Sequence, residues 1–302
     1  MGDLSLSNAT RTNLLSLQRT TSLIGRTQER LATGLKVNSA IDDALAFFKA
    51  RNLNSRAEDL SAIKDQISNG ISVIRASIQG LESIESVLKQ MKAVAQSAIS
   101  SPESSTRAKL ASQFNELRSQ VDNLTEDARF NGVNLLKNTT TAFTAGADDL
   151  TVKFNERQDD IAGPSVGPLN QLVVSGVSGS DFSTIIASSA TATGTAGSAT
   201  VWGQTGTAAV TAINSAIRGI DSALVTVRQV AQNLGTNSSL LEIRREFTSN
   251  LINTLKGGAS ELINADLNEE SANLLSLQTR QQLGTISLSI AQQSEQSVLR
   301  LF

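Results

Sequence analysis

The chain is 302 residues long, enough for one large domain or two to three small ones, and only 3% of it is aromatic, with nine Phe, one Trp and no Tyr. Any core must therefore be built from Leu, Ile, Val and Ala, a palette suited to thin seams between helices. With 26 basic against 28 acidic residues there is no basic field to gather phosphates, which argues against a nucleic-acid partner; with no Cys and no His there is no disulfide framework, no thiolate or histidine zinc site and no histidine-dependent triad.

The amino end, Met1 to Ser16, lacks a continuous apolar stretch of signal-peptide length, and no run of about 18 apolar residues occurs anywhere, so neither a cleaved signal nor membrane insertion is expected. From Leu14 the apolar positions fall at helical or heptad spacing through Leu17, Ile24, Leu31 and Leu35, in an arm that also carries Arg11, Arg19, Arg26 and Arg30. So narrow a stripe needs a partner helix.

Asp42 and Asp43 then stand where an N-cap and first-turn carboxylates are favoured, a reading preferred over a metal-binding or acid–base pair. Beyond them lies a strict heptad: counting by sevens from Ala46 gives Leu53, Leu60, Ile67, Ile74, Leu81, Leu88 and Ala95, with a second apolar row at Ala57, Ile63, Ile71, Ile78, Ile84, Met91 and Ala98. About 55 residues at about 1.5 Å each predict a rod roughly 80 Å long. Pro102 marks its far end. Asn69-Gly70 is a turn dipeptide and Gly80 also weakens a helix, each glycine by about 1 kcal/mol relative to Ala. The heptad stays in phase across both, which predicts a continuous helix, with a local bend as the alternative.

A second helix is expected from about Thr106 to Ala128, on Leu110, Phe114, Leu117, Val121 and Leu124, and Phe130-Asn131-Gly132-Val133 then reads as a turn. Leu150 to Phe154 alternates as a strand does, Pro164 and Pro168 bracket a loop, and Ala187 to Thr200 holds only Ala, Ser, Thr and Gly, so it is expected to be exposed, irregular or mobile. Helical spacing returns at Ile213, Ile217, Ile220, Leu224, Val227, Ala231 and Leu234. Gly235 is expected to interrupt it, the signal resumes at Ile243, Phe247, Leu251 and Leu255, pauses at Gly257-Gly258 and continues toward Asn264. A last stripe runs from Leu275 through Leu283, Ile286, Ile290 and Val298. The fold class predicted is mainly α, a long coiled-coil-like antiparallel helical bundle with paired terminal helices and a small β or irregular central insertion.

Three separated stretches resemble the bacterial flagellins. They are Glu29 to Ala44, whose core is Asn38, Ser39, Ala40, Asp42 and Asp43; Ala128-Arg129-Phe130-Asn131-Gly132-Val133-Asn134-Leu135-Leu136; and the ending from Gln278 through Gly284 to Phe302. The resemblance implies three parts: an inner terminal-helix domain from 1–40 with 267–302, a helical rod from 41–136 with 206–266, and a small surface-exposed variable region at 137–205. It implies a structural subunit that polymerises into the flagellar filament for swimming, after export through the flagellar type III channel without a cleaved signal, and therefore a secreted, extracellular location. No enzymatic activity and no cofactor are implied. The partners implied are other copies of the chain, hook-associated junction and cap proteins, and a flagellin export chaperone. Leu14, Leu17, Ile24, Leu31, Leu275, Leu283, Ile286, Ile290 and Val298 are the candidate subunit-interface residues.

Many flagellins are recognised by Toll-like receptor 5 through a stretch that aligns with Leu88 to Ala95. Here Gln90 and Ala93 replace the family's arginine and glutamate, between Leu88 and Val94, which implies weak or no recognition. Two other readings of the chain remain: a hook–filament junction protein, and a secreted adhesin or host-interaction module whose centre binds a ligand. Asp266 to Glu270 is no calcium loop, since Ser271 stands where Gly is needed and Leu277 where Glu is needed. The Ser/Thr-rich centre is the best candidate for O-linked sugars.

Overall fold

The computed structural model describes residues 8–136, 149–155, 170–176, 202–204 and 206–299. Its elements are α1 (Asn8–Thr33), α2 (Ala44–Ser100), α3 (Ser104–Asp127), β1 (Leu150–Lys153), β2 (Gln171–Val174), α4 (Thr207–Ile263) and α5 (Leu267–Leu299). The described residues are thus mainly helical, with a small two-stranded antiparallel sheet, as the periodicities predict.

Asp43 starts α2: its Oδ1 accepts a hydrogen bond from the Ala46 N–H at 3.0 Å, satisfying one of the donors a helix start leaves unpaired. The helix then runs without a break to Ser100, two residues before Pro102. Its heptad positions Ile67, Ile74, Leu81 and Leu88 are fully buried, together with Ile84 and Met91. Gly70 and Gly80 sit inside the helix and form no turn. A Cβ at residue 70 would come within 2.8 Å of Val152 on β1, and one at residue 80 within 2.6 Å of the Ala128 Cβ. Both glycines therefore let another segment approach the helix backbone.

The expected break at Gly235 is absent, as is the pause at Gly257-Gly258, because α4 is one helix of 57 residues. A glycine costs a helix about 1 kcal/mol, whereas burying each large aliphatic side chain contributes about 1.5–3 kcal/mol. Val227, Val230, Leu234 and Leu241 are buried on both sides of Gly235, so tertiary packing carries the helix across it.

The chain divides into two compact units, residues 1–58 with 252–302 and residues 59–251. In the second, α2 and α4 run antiparallel. Arg75, Glu85 and Lys92 ascend α2 while their ionic partners Glu242, Arg228 and Asp221 descend α4. The helix α3 closes with the turn that sequence predicts: Asn131 and Gly132 take positive φ, and Phe130 and Val133 exchange backbone hydrogen bonds of 3.0 Å. The Asn134 amide then donates to the Thr125 carbonyl at 2.8 Å, satisfying an acceptor at the helix end.

Arg107 gathers four carbonyls, those of Ser101, Pro102, Trp202 and Gln204, and Trp202 packs 5.0 Å from Phe114. The predicted strand is β1, paired with β2 in the register Leu150↔Val174 to Lys153↔Gln171. Val152 and Val174 are buried, and the Arg244 guanidinium lies 5.0 Å from the Phe154 ring centre. The expectations for Pro164, Pro168 and Ala187 to Thr200 lie outside the described residues.

In the first unit, α1 packs along α5. Gly34, at φ 71°, turns the chain out of α1. The strand-like stretch that follows is pinned to the end of α4: the Lys36 N–H donates to the Ile263 carbonyl at 2.6 Å, and the Ala265 N–H donates to the Gly34 carbonyl at 2.9 Å. Asp266 caps α5, accepting from the Asn268 N–H at 2.8 Å.

Candidate assembly surfaces

The contact between α1 and α5 has heptad spacing on both sides, with a composition unlike that of the rod. Among the described residues the covered or half-covered positions on α1 are Thr10, Asn13, Leu17, Thr20, Ile24, Thr27, Arg30 and Leu31; on α5 they are Glu270, Leu274, Leu277, Gln281, Gly284, Leu288 and Ala291. Five of the eight α1 positions are polar or charged. The approach is close at Gly284, where a Cβ would lie 3.2 Å from the Leu17 Cδ1. Arg30 Nη1 meets Glu270 Oε1 at 3.0 Å near the inner end. Seams of this kind bury little apolar area per turn and hold weakly.

The predicted interface residues divide between two surfaces. Leu17, Ile24 and Leu31 belong to the seam the chain makes with itself. Leu14 points outward, and so do Leu275, Leu283, Ile286 and Ile290, which are between 56% and 68% exposed. The side chain of Val298 lies outside the described residues. A helix of 33 residues thus carries two stripes, one against α1 and one uncovered. Sequence reasoning selected the second on α5 and missed the first, because Gln281 and Gly284 interrupt the apolar pattern of the face that packs.

It also missed uncovered apolar residues on the rod helices and before them. Ile41 is 96% exposed, and Leu45 and Phe48 follow it outward on α2; Leu240, Ile243 and Phe247 form an outward stripe on α4. The available signal was that Leu45 and Phe48 fall out of phase with the heptad.

Within the family motif, Asp42 Oδ2 accepts hydrogen bonds from the Asn38 N–H at 3.2 Å and from the Ser39 N–H and hydroxyl at 3.0 Å each. The Ser39 hydroxyl first, and then its backbone N–H, hold this carboxyl below its ordinary range. Ala40 lies in the turn between Ser39 and Asp42, and Asp43 caps α2. The pair therefore shapes a turn and starts a helix. Among the described residues no group of three or more Asp and Glu side chains is placed to hold a metal ion.

In the segment from Leu88 to Val94, Leu88 is buried in the rod and Val94 half-buried, while Gln90 and Ala93 are exposed. Lys89 pairs with Glu85 at 3.1 Å.

Long helices, a polar self-seam and several uncovered apolar stripes define a class: helical subunits built to meet copies of themselves. The bacterial flagellin N-terminal helical region matches residues 4–141 and the C-terminal helical region matches residues 217–302. The chain belongs to the bacterial flagellin family and is a structural subunit of the flagellar filament. It is 36% identical over 291 residues to the flagellin FljN of Caulobacter vibrioides, covering 96% of this chain and 94% of that one. It is 28% identical over 306 residues to flagellin C of Rhizobium meliloti, covering 91% of each. Among solved structures it is similar to a Bacillus cereus flagellin at 17% identity and a TM-score of 0.44, over 61% of this chain and 88% of that one. Nothing favours the junction-protein or adhesin reading.

Proposed function

We propose that α1 and α5 form the inner layer of the filament, and that Leu14, Leu275, Leu283, Ile286, Ile290 and Val298 meet the arms of neighbouring copies there. The observation that carries this is the uncovered stripe from Leu275 to Ile290 beside a seam too polar to hold the arms firmly. The same reading keeps the three-part layout of 1–40 with 267–302, 41–136 with 206–266, and 137–205. It also places the chain outside the cell, exported through the flagellar type III channel with the help of a chaperone and polymerised against junction and cap proteins. The role is structural throughout, without catalysis or cofactor.

Seeded growth tests it. Purified subunits added to sheared filament seeds lengthen into tubes visible by electron microscopy, and a Leu283→Asp, Ile286→Asp variant does not lengthen them although its helical circular dichroism survives. Wild-type chains that stay monomeric on seeds would falsify the proposal.

A second consequence concerns the exposed Gln90 and Ala93. Toll-like receptor 5 binding at this segment needs a charge pair that the chain does not supply, so the subunit is a poor agonist in a reporter-cell assay. Potent activation would contradict that.

A further inference from the structure

Two apolar patches outside the arms are left exposed by the described residues. The first is Ile41, Leu45 and Phe48, in the unit of residues 1–58 and 252–302. Phe48 stands edge-on to Phe47, with ring centres 5.6 Å apart, and Phe47 helps line a groove of 350 Å³ with Leu35, Val37, Ala50 and Ile263. The second patch is Leu240, Ile243 and Phe247, at i, i+3 and i+7 on α4 in the unit of residues 59–251. Ile243 is 65% exposed and Phe247 59%. Among the described residues these are the only exposed large apolar side chains of that unit that form a three-residue helical stripe.

Each patch is bordered by charges of both signs. Asp42 and Asp43 flank the first patch, with Lys49 and Arg51 beyond Phe48. Around the second stand Lys64, Arg244 and Arg245 with Glu242 and Glu246, and Glu242 is occupied by Arg75 at 2.8 Å. Cations outnumber anions there by three to two, and they complement Asp42 and Asp43 at the amino end of the first patch, whose own four charges balance.

Resting on the reading of the chain as a filament subunit, we propose that the Ile41–Leu45–Phe48 patch of one copy docks on the Leu240–Ile243–Phe247 stripe of the next. A patch that paired with its own counterpart through a two-fold axis would close after two copies. A growing helical polymer requires two different, complementary patches on every subunit. Phe48 and Phe247 are the aromatic anchors of this contact, Asp42 and Asp43 face the cations beside the α4 stripe, and the groove beside Phe47 receives an apolar side chain from the incoming copy.

The chain has no cysteine, so engineered thiols read this contact directly. Filaments are grown from Phe48→Cys, from Phe247→Cys, from a mixture of the two and from the double variant, then mildly oxidised and run on a denaturing, non-reducing gel. The double variant gives a ladder extending beyond dimers, the mixture gives dimers, and each single variant alone stays monomeric. Dimers from either single variant alone overturn the pairing, as do filaments of the double variant that show no cross-link. Wild-type chains that fail to grow on seeds overturn the subunit reading and this contact together. Should Phe48→Cys impair growth, Leu45→Cys with Ile243→Cys gives the same readout.

Discussion

Glycine lowers helix stability by the same intrinsic amount wherever it occurs, and what surrounds the missing methyl decides whether the position tolerates anything else. At residue 80 a Cβ would press on the Ala128 Cβ, which no rotamer can move aside, and would lie 3.1 Å from Leu136. Overpacking of this kind costs about 1–3 kcal/mol, against about 1 kcal/mol gained in helix propensity. Gly80→Ala is therefore expected to lower the unfolding free energy, by about 1 kcal/mol. At residue 235 there is open space around the same position, and Gly235→Ala is expected to raise it by about 1 kcal/mol. Urea titrations of the two variants should move in opposite directions; a shared direction would refute the account of Gly80 as a site of close approach.

Between α2 and α4 the apolar heptads supply most of the adhesion, and the ionic pairs along the edge add direction. Glu85 is the best-connected member, meeting Arg228 at 2.9 Å and Lys89 at 3.1 Å. The Arg228 hydrogen bond first, and that of Lys89 second, hold its carboxyl below the ordinary value of 4.5. A lowered carboxylate contributes stability that is fully present above its unfolded pKa and is lost as the pH falls through its folded value. Both cations are largely exposed, which limits the effect to about 0.5–1 kcal/mol. Glu85→Gln should thus destabilise the subunit by that amount near neutral pH, and the difference from wild type should vanish as acid protonates Glu85. Parallel urea titrations across the acid limb measure this, and a difference independent of pH would show that the charge is irrelevant.

For the whole molecule, the contrast lies between a rod stitched by Leu, Ile and Met and arms joined through Thr, Asn, Gln and Gly. Among the described residues of the seam Ile24 is the one large apolar side chain that is buried, so the isolated arm helices are marginal, and the proposed contacts with neighbouring copies would complete them. Amide exchange is expected to be fast over residues 1–36 and 270–302 in the dilute subunit and slow over both in the filament, while the rod stays protected in either state. Strong protection of both arms in the dilute subunit would rule out folding coupled to assembly.

The long-period pattern by itself determined α2 as a single helix. Seven-residue spacing from Ala46 onward specified one continuous α2 despite Gly70 and Gly80, and Asp43 marked its start, because capping and heptad packing are local consequences of residue order. The Leu150 strand and the turn at Asn131-Gly132 were legible for the same reason. What only the tertiary structure decided were facts about neighbours distant in sequence. Gly235 continues its helix because buried residues on either side outweigh its cost. The self-seam of α5 runs through Gln281 and Gly284, because a close backbone approach to Leu17 fills the space that a larger side chain would occupy. The apolar stripe at Leu275, Leu283, Ile286 and Ile290 was visible in the sequence; that it stays uncovered required knowing which face α1 had taken.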